Sequence, residues 1–405
     1  MHLLIERENR RMENKYLWSD GWWIDNNEAW FIDPERSVLL KLDLNIMQCD
    51  FVVELPIGKQ KNFRSHPKCI KVNDEIYCMP YNNNNILVYQ LKKNKFIKIK
   101  LDTLQKENAG IYNFELYDKE IFAVSIELNK IISINTEDKY VVKMYDLSEN
   151  VSASTLIGSS LFIVSSERNK IFQFDLKQKR LIEHIINVKS PGFKTICFDG
   201  EKVWLTGYKK EIYIWDLKNN SIQTITAFPK CFSLYDTKVE KGFVQNDFEI
   251  ADTPIFLYTI YCNGIIWFIP FQTNLILYIH KNSKQLNIFE IENEDETPKS
   301  LLGRELCHKY LFEYKMEDRY IGLFSLKNNT YFQIDTLENT YKKINFSYSK
   351  QYQNEMLNVY INNQALYREQ RFTDRLFFSL LLKRGKNSQM LKTKESIGEK
   401  IFYSV

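Results

Sequence analysis

Seven stretches of this 405-residue chain repeat one pattern. Each opens with an apolar–aromatic–apolar run and passes through a short polar loop that often carries Asn. A second alternating run follows, usually ending in an acidic or amide residue. The copies begin at Ala29, Ile76, Ile121, Leu161, Val203, Ile266 and Arg319. They close at Asp43, Gln90, Asn135, Asp175, Asp216, His280 and Asp335, in steps of 47, 45, 40, 41, 64 and 55 residues. Strict alternation is the mark of strands, and the aromatic content of 14% favours strands over helices. A small sheet cannot cover both of its own faces, so such a chain must stack its units against one another.

A period of 40–50 residues with strand patterning predicts the blades of a β-propeller. The fifth unit shows four strands: Lys194–Phe198, Val203–Thr206, Ile212–Trp215 and Ser221–Ile225. The turns Asp199-Gly200, Asp20-Gly21 and Asn263-Gly264 supply the positive φ that tight hairpins need. The two long steps are assigned to insertions at Ala227–Thr253 and Glu292–His308. The expected fold is all-β, a propeller of seven four-stranded blades over residues 15–346. Six blades is the alternative, because units six and seven are the least regular in spacing. The stretch Leu161–Asp175, LFIVSSERNKIFQFD, resembles the repeat of NHL-type and related propellers. WD-repeat propellers are the other relatives, but only Trp215-Asp216 stands at the WD position and no Gly-His precedes it. The resemblance implies architecture rather than activity.

One aromatic per unit recurs in the second strand: Trp30, Tyr77, Phe122, Phe162, Trp204, Trp267 and Tyr320. These are expected to fill the core between blades. In the pair Trp22-Trp23, alternation sends one ring to each face of its strand, so one can point to the channel or solvent. Both terminal blades read as complete, which leaves ring closure to side-chain packing between blades one and seven, with Tyr16-Leu17-Trp18 as an optional extra strand. Residues 1–14 form a short leading segment. From 347 to 405 the patterning changes to a small helical extension. Leu376, Phe377, Leu380 and Leu381 fall at helical spacing there, as do Ile397, Ile401, Phe402 and Val405. This extension is expected to dock on the propeller or on a partner.

The net charge is +4, and residues 344–405 carry +5 of it, leaving the body at −1. That balance offers no electrostatic footprint for nucleic acid. No 18-residue apolar stretch occurs, so no transmembrane segment is expected. The first residues lack an apolar h-region, and the seven cysteines include no CxxC pair. Reduced thiols in a cytoplasmic protein are the expectation.

No HExxH, GxSxG or GxxxxGK[ST] motif is present, and the five histidines are scattered. No catalytic residue, metal or cofactor is therefore assigned, and enzymatic activity is left open with non-catalysis favoured. The acidic run Glu292–Glu296 reads as a solvated loop. Asn84, Asn129, Asn169, Asn274 and Asn328 read as hairpin-loop residues. The resemblance implies that the loops between second and third strands share one face with the crossovers between blades, and that this face binds. Candidate contact residues are Trp22, Trp23, Arg36, His66, Tyr81, Arg168, Tyr208, Phe271 and Arg304. Tyr and Arg are frequent in binding hot spots. The mixed charge suits a protein or peptide partner, so a non-catalytic scaffold is the first expectation. Two others stay open. One is a propeller lyase or hydrolase using His66, His280 or His308 with Glu and a metal. The other is a glycan-binding module stacking sugar on an exposed Trp22 or Trp23.

Overall fold

The computed structural model describes residues 19–34, 36–57, 65–101, 108–232, 254–271, 275–291, 310–325 and 330–355. Seven antiparallel sheets of four strands are arranged as a seven-bladed β-propeller. Blade one holds β1 (Trp23–Asp25), β2 (Glu28–Asp33), β3 (Val38–Asp43) and β4 (Gln48–Glu54). Blade two holds β5 (Lys68–Val72), β6 (Glu75–Met79), β7 (Asn85–Gln90) and β8 (Lys95–Lys100). Blade three holds β9 (Ile111–Tyr117), β10 (Glu120–Ser125), β11 (Lys130–Asn135) and β12 (Tyr140–Asp146). Blade four holds β13 (Val151–Ile157), β14 (Ser160–Ser165), β15 (Lys170–Asp175) and β16 (Arg180–Ile185). Blade five holds β17 (Phe193–Phe198), β18 (Lys202–Gly207), β19 (Ile212–Asp216) and β20 (Ser221–Ile225). Blade six holds β21 (Phe256–Cys262), β22 (Ile265–Pro270), β23 (Ile276–His280) and β24 (Asn287–Phe289). Blade seven holds β25 (Tyr310–Met316), β26 (Tyr320–Ser325), β27 (Thr330–Asp335) and β28 (Thr340–Ile344). The long steps of the repeat fall in the crossovers from β20 to β21 and from β24 to β25.

The closing residue of the repeat is a turn cap. The side-chain oxygen of Asp43, Asn135, Asp175, Asp216 and Asp335 accepts the backbone N–H groups two and three residues on. This is the Asx-turn that lets a short polar side chain stand in for backbone. Gln90 and His280 lack that short reach. Most left-handed non-glycine residues lie at the turns after the first and third strands, with Ser37 and Asn129 between the second and third. Asn26, Asn73, Asp118, Asn263 and Asp318 follow the first strand; Met47, Asn94, Lys139, Lys179, Asn220 and Asn339 follow the third. Of the Asn series expected in the loops between second and third strands, Asn129 alone has positive φ among the described residues. Asn169 instead donates through Nδ2 to the carbonyls of Ile186 and Val188, at 2.7 and 2.9 Å. Asn274 and Asn328 lie outside the described residues.

Each sheet buries its faces against its neighbours, and the recurring aromatics Trp30, Tyr77, Phe122, Phe162, Trp204 and Trp267 all lie in that core. Blade seven departs from the pattern. Tyr320 is only half-buried, with the Arg319 guanidinium 5.1 Å over its ring. The position that holds an aromatic elsewhere, third in the second strand, is Gly322. A bulge at Glu313 shifts the register of β25 so that Tyr314 stands opposite Gly322. A β-carbon on Gly322 would lie 2.0 Å from Tyr314 Cε1. The inner strand thus lends the ring that the second strand lacks.

The seam between blades seven and one is pinned at two radii. Near the axis, Trp22 N–H donates to Glu313 C=O at 2.7 Å, and the Ser19 hydroxyl donates to Glu313 Oε2. The Trp22 ring stacks on Tyr314 and Phe31, with centroids at 4.8 and 5.4 Å, and meets Tyr331 and Phe346. At the rim, blade one does have four strands of its own. A fifth, β29 (Ser347–Tyr348), pairs in parallel with β4, and a helical turn over residues 350–355 follows. Tyr348 stacks on Tyr352, and Tyr352 is buried in the seam core. Packing closes the ring as expected, and a strand is added to it. The helices expected near Thr373 and Ile397, and the segment Tyr16–Trp18, lie outside the described residues.

Candidate functional site

In an antiparallel meander, loops between second and third strands and crossovers between blades must emerge on one side; call it the upper face. The inner strands β5, β9, β13, β17, β21 and β25 begin there. Four of them carry a bulge at their second residue, which drops out of the ladder: Tyr112, Ser152, Lys194 and Leu257. Bulges re-aim side chains and recur beside functional sites. Here the neighbours on either side are committed to the flanking blades. Ile111 packs toward blade two, while Asn113 donates to Ser152 C=O in blade four. Phe193 packs toward blade four, and Thr195 bonds Thr259 of blade six at 2.5 Å. Of the bulged residues, Tyr112 reaches across the channel, whereas the Ser152 hydroxyl donates to Phe193 C=O of blade five at 2.8 Å.

The mouth so formed is capped. Tyr112 of blade three and Tyr258 of blade six, nearly opposite in the ring, bring their hydroxyls to 3.3 Å. Tyr81 sets its ring edge against Tyr112 at 6.3 Å, the Lys68 ammonium lies 3.9 Å over the Tyr112 ring, and Phe312 packs on Tyr258 at 5.5 Å. Side chains from blades two, three, six and seven therefore form one aromatic and cationic surface over the axis. Asp20 is buried beside it. Burial and the Asp20 charge hold the Glu313 carboxyl well above the usual range, against the Ser19 hydroxyl and Lys68, which favour ionisation. Burial, with neighbouring Tyr112, also keeps the Tyr258 phenol protonated. Burial alone depresses the Lys194 ammonium and raises Glu115 to about 7.

The nine candidates from the sequence are dispersed. Trp22 is 8% exposed inside the seam, so its ring faces are covered by protein; this overturns its reading as an exposed sugar platform. Trp23 points the other way, half-buried between blades one and two. Arg36 bonds the buried Asp33 at 2.6 Å and braces its own loop. His66 is buried: its Nδ1 accepts from Ser65 Oγ at 3.0 Å, and its Nε2–H donates to Asn85 C=O at 2.7 Å. Burial lowers its pKa to about 4, so it is a neutral crosslink. His280 is exposed at a turn on the lower face and does not converge with His66. His308 and Arg304 lie outside the described residues. No group of three His, Cys, Asp or Glu side chains placed to hold a metal occurs among the described residues. Arg168 pairs with Glu149 at 3.4 Å on the upper face. Tyr208 lines a shallow cleft with Ser166, Glu167 and Pro191. Phe271 N–H is tied to Ile255 C=O. Among the described candidates, Tyr81 alone joins the channel mouth. Tyr112, Lys194, Tyr258 and Glu313 were not singled out from sequence, while Lys68 was read only as part of the basic stretch around His66. Lys194 and Glu313 did leave a trace there, as charges inside apolar inner-strand runs.

These features define a β-propeller with a capped axis. No protein-family profile matches the chain, and no curated protein matches it in sequence. Solved structures do. A structure described as streptogramin B lyase superposes with a TM-score of 0.51 at 16% identity, over 76% of this chain and 91% of that one. PorZ, a surface component of the type-IX secretion system of Porphyromonas gingivalis, gives 0.52 at 10% identity, over 82% of this chain and 39% of that one. A chain of the mitotic checkpoint complex gives 0.51 at 10% identity, over 76% and 84%. At such identities the likeness is one of fold. No helix among the described residues is long and apolar enough to cross a membrane.

Proposed function

We propose that this protein is a non-catalytic binding module that presents its upper face to a protein or peptide. The observation that carries this reading is the cross-channel pair Tyr112–Tyr258. It converts the axis from a hole into a floor, continuous with Tyr81 and Lys68. A broad surface of Tyr, Lys and Arg on a rigid scaffold suits macromolecular recognition. Clefts there are shallow, as at Tyr208. The fold it shares with a chain of the mitotic checkpoint complex is compatible with this use.

The test is affinity capture from native lysate with the full chain and two sets of variants. Tyr81→Ala combined with Tyr208→Ala alters the upper face, and Lys92→Glu combined with Lys218→Glu alters the lower turns. Loss of a captured protein from the first set alone supports the reading. Loss from the second set alone, or from neither, overturns it.

A further inference from the structure

We infer that the lower rim between blades five and six holds a binding site for a small organic phosphate. This site lies on the opposite side of the disc from the upper face and needs no partner there. Blade six is irregular at this place. In the other six blades, four residues join the third strand to the fourth. In blade six there are six, residues 281–286, and β24 is only three residues long. It pairs with β23 no further than Tyr278, so Ile279 and His280 have no fourth-strand neighbour. Blade five therefore faces a loop where a full outer strand would stand, and a cleft of about 350 Å³ lies between them. The loop is braced. Lys281 N–H donates to Gly264 C=O at 3.0 Å, Ser283 N–H to His280 C=O at 2.8 Å, and Gln285 N–H to Ser283 Oγ at 3.0 Å. Leu286 anchors its end in the core shared with blade five.

The charge lining this cleft has one sign. Lys202 enters from β18, Lys281 and Lys284 from the loop, and no Asp or Glu lines it. None of the three lysines forms an ion pair among the described residues. Asp216 stands opposite Lys202 in the ladder, but its oxygens are engaged by Lys218 N–H, Asn219 N–H and Asn219 Nδ2. Asp199 is likewise occupied by the N–H groups of Glu201 and Lys202 and by Trp204 Nε1. Like charges gathered on braced walls repel one another, and an anion between them relieves that repulsion. Ammonium groups act as point charges, whereas a planar carboxylate is matched best by an arginine fork. The cleft has no arginine. Three point charges suit the tetrahedral dianion of a phosphate monoester. Ser283 Oγ already accepts from Gln285 N–H, which leaves its proton to donate. Volume and floor define the rest of the ligand. About 350 Å³ is the size of a small-molecule site rather than of one anion. Trp204, Ile214 and Ile225 give the floor a ring and methyl groups. A phosphate carried on a compact organic ring satisfies both.

The test titrates the full chain by calorimetry with adenosine monophosphate, adenosine, inorganic phosphate and benzoate. Adenosine monophosphate is expected to bind wild type, and adenosine and benzoate are not. Inorganic phosphate is expected to bind at least tenfold more weakly than the nucleotide. Lys281→Gln combined with Lys284→Gln is expected to weaken nucleotide binding at least tenfold while the ligand-free melting temperature stays unchanged. Lys202→Gln, on the opposite wall, is a second variant with the same expectation. Lys92→Gln combined with Lys218→Gln removes as much charge from other lower turns and is expected to bind as wild type does. No binding of the nucleotide to wild type, equal binding by wild type and both cleft variants, or an equal loss in the Lys92 and Lys218 control overturns the inference. Benzoate or inorganic phosphate binding as tightly as the nucleotide overturns the assignment to organic phosphates.

Discussion

Asp175 shows how a single side chain writes the repeat into the sequence. Its carboxylate accepts the N–H groups of Lys177 and Gln178 at 2.8 and 2.7 Å. Asp175→Ala is expected to cost about 1 kcal/mol, one net hydrogen bond, with Asp175→Asn nearly silent by denaturant unfolding. The acidic or amide ending was legible in sequence because turn chemistry is local. Gly322 is the opposite case. Its role depends on a register shift in the preceding strand, and nothing at Tyr320–Gly322 announces that Tyr314 will fill the gap. Gly322→Ala is expected to lower stability by about 2–4 kcal/mol, since Tyr314 must leave its place against Trp22. Glu115 offers a pH test. Alternation turns it to blade four with Asn113 and Tyr117, and burial raises it to about 7 from an unfolded value of about 4.3. The folded state then keeps a proton that the unfolded state has lost, so this group costs increasing stability from about pH 4.3 to 7 and no more above that. Glu115→Gln is expected to equal wild type near pH 4 and exceed it by about 1–3 kcal/mol at pH 8, read from guanidinium midpoints at both pH values.

At the scale of elements, the strands were the readable part. In blade five the expected and observed strands agree to within one residue at each end, because alternation and tight turns are sequence-local. The bulges were not readable. A residue that leaves the ladder looks like its neighbours in a string of letters, and Tyr112, which reaches across the channel, is such a residue. The rim strand β29 also escaped notice: two residues, Ser347 and Tyr348, are too few to show alternation, and their partner strand lies some 300 positions away. A chain ended after Phe346 is expected to melt lower than one ended after Glu355, by about 2–4 kcal/mol at the midpoint. It forfeits the burial of Tyr348 and Tyr352 and the Ser347 N–H bond to Met47 C=O.

For the whole molecule, the seam is where a ring differs from a row. Interior blades meet partners made just before and after them, whereas Trp22 meets Tyr314, Tyr331 and Phe346. Trp22→Ala is expected to cost about 3–5 kcal/mol, while Tyr320→Ala, outside the core, costs under about 1 kcal/mol. Calorimetric melting of both variants checks the contrast. The same geometry has a consequence in time. Ser19 and Glu313 are 294 positions apart, and translation at 5–20 residues per second separates their appearance by about 15–60 s. Through that interval the face of blade one that will receive blade seven is exposed, with Trp22 and Phe31 uncovered and the β4 edge unpaired. The newborn chain is therefore most vulnerable at blade one, and a nascent-chain holdase would find its target there rather than at the blade just made.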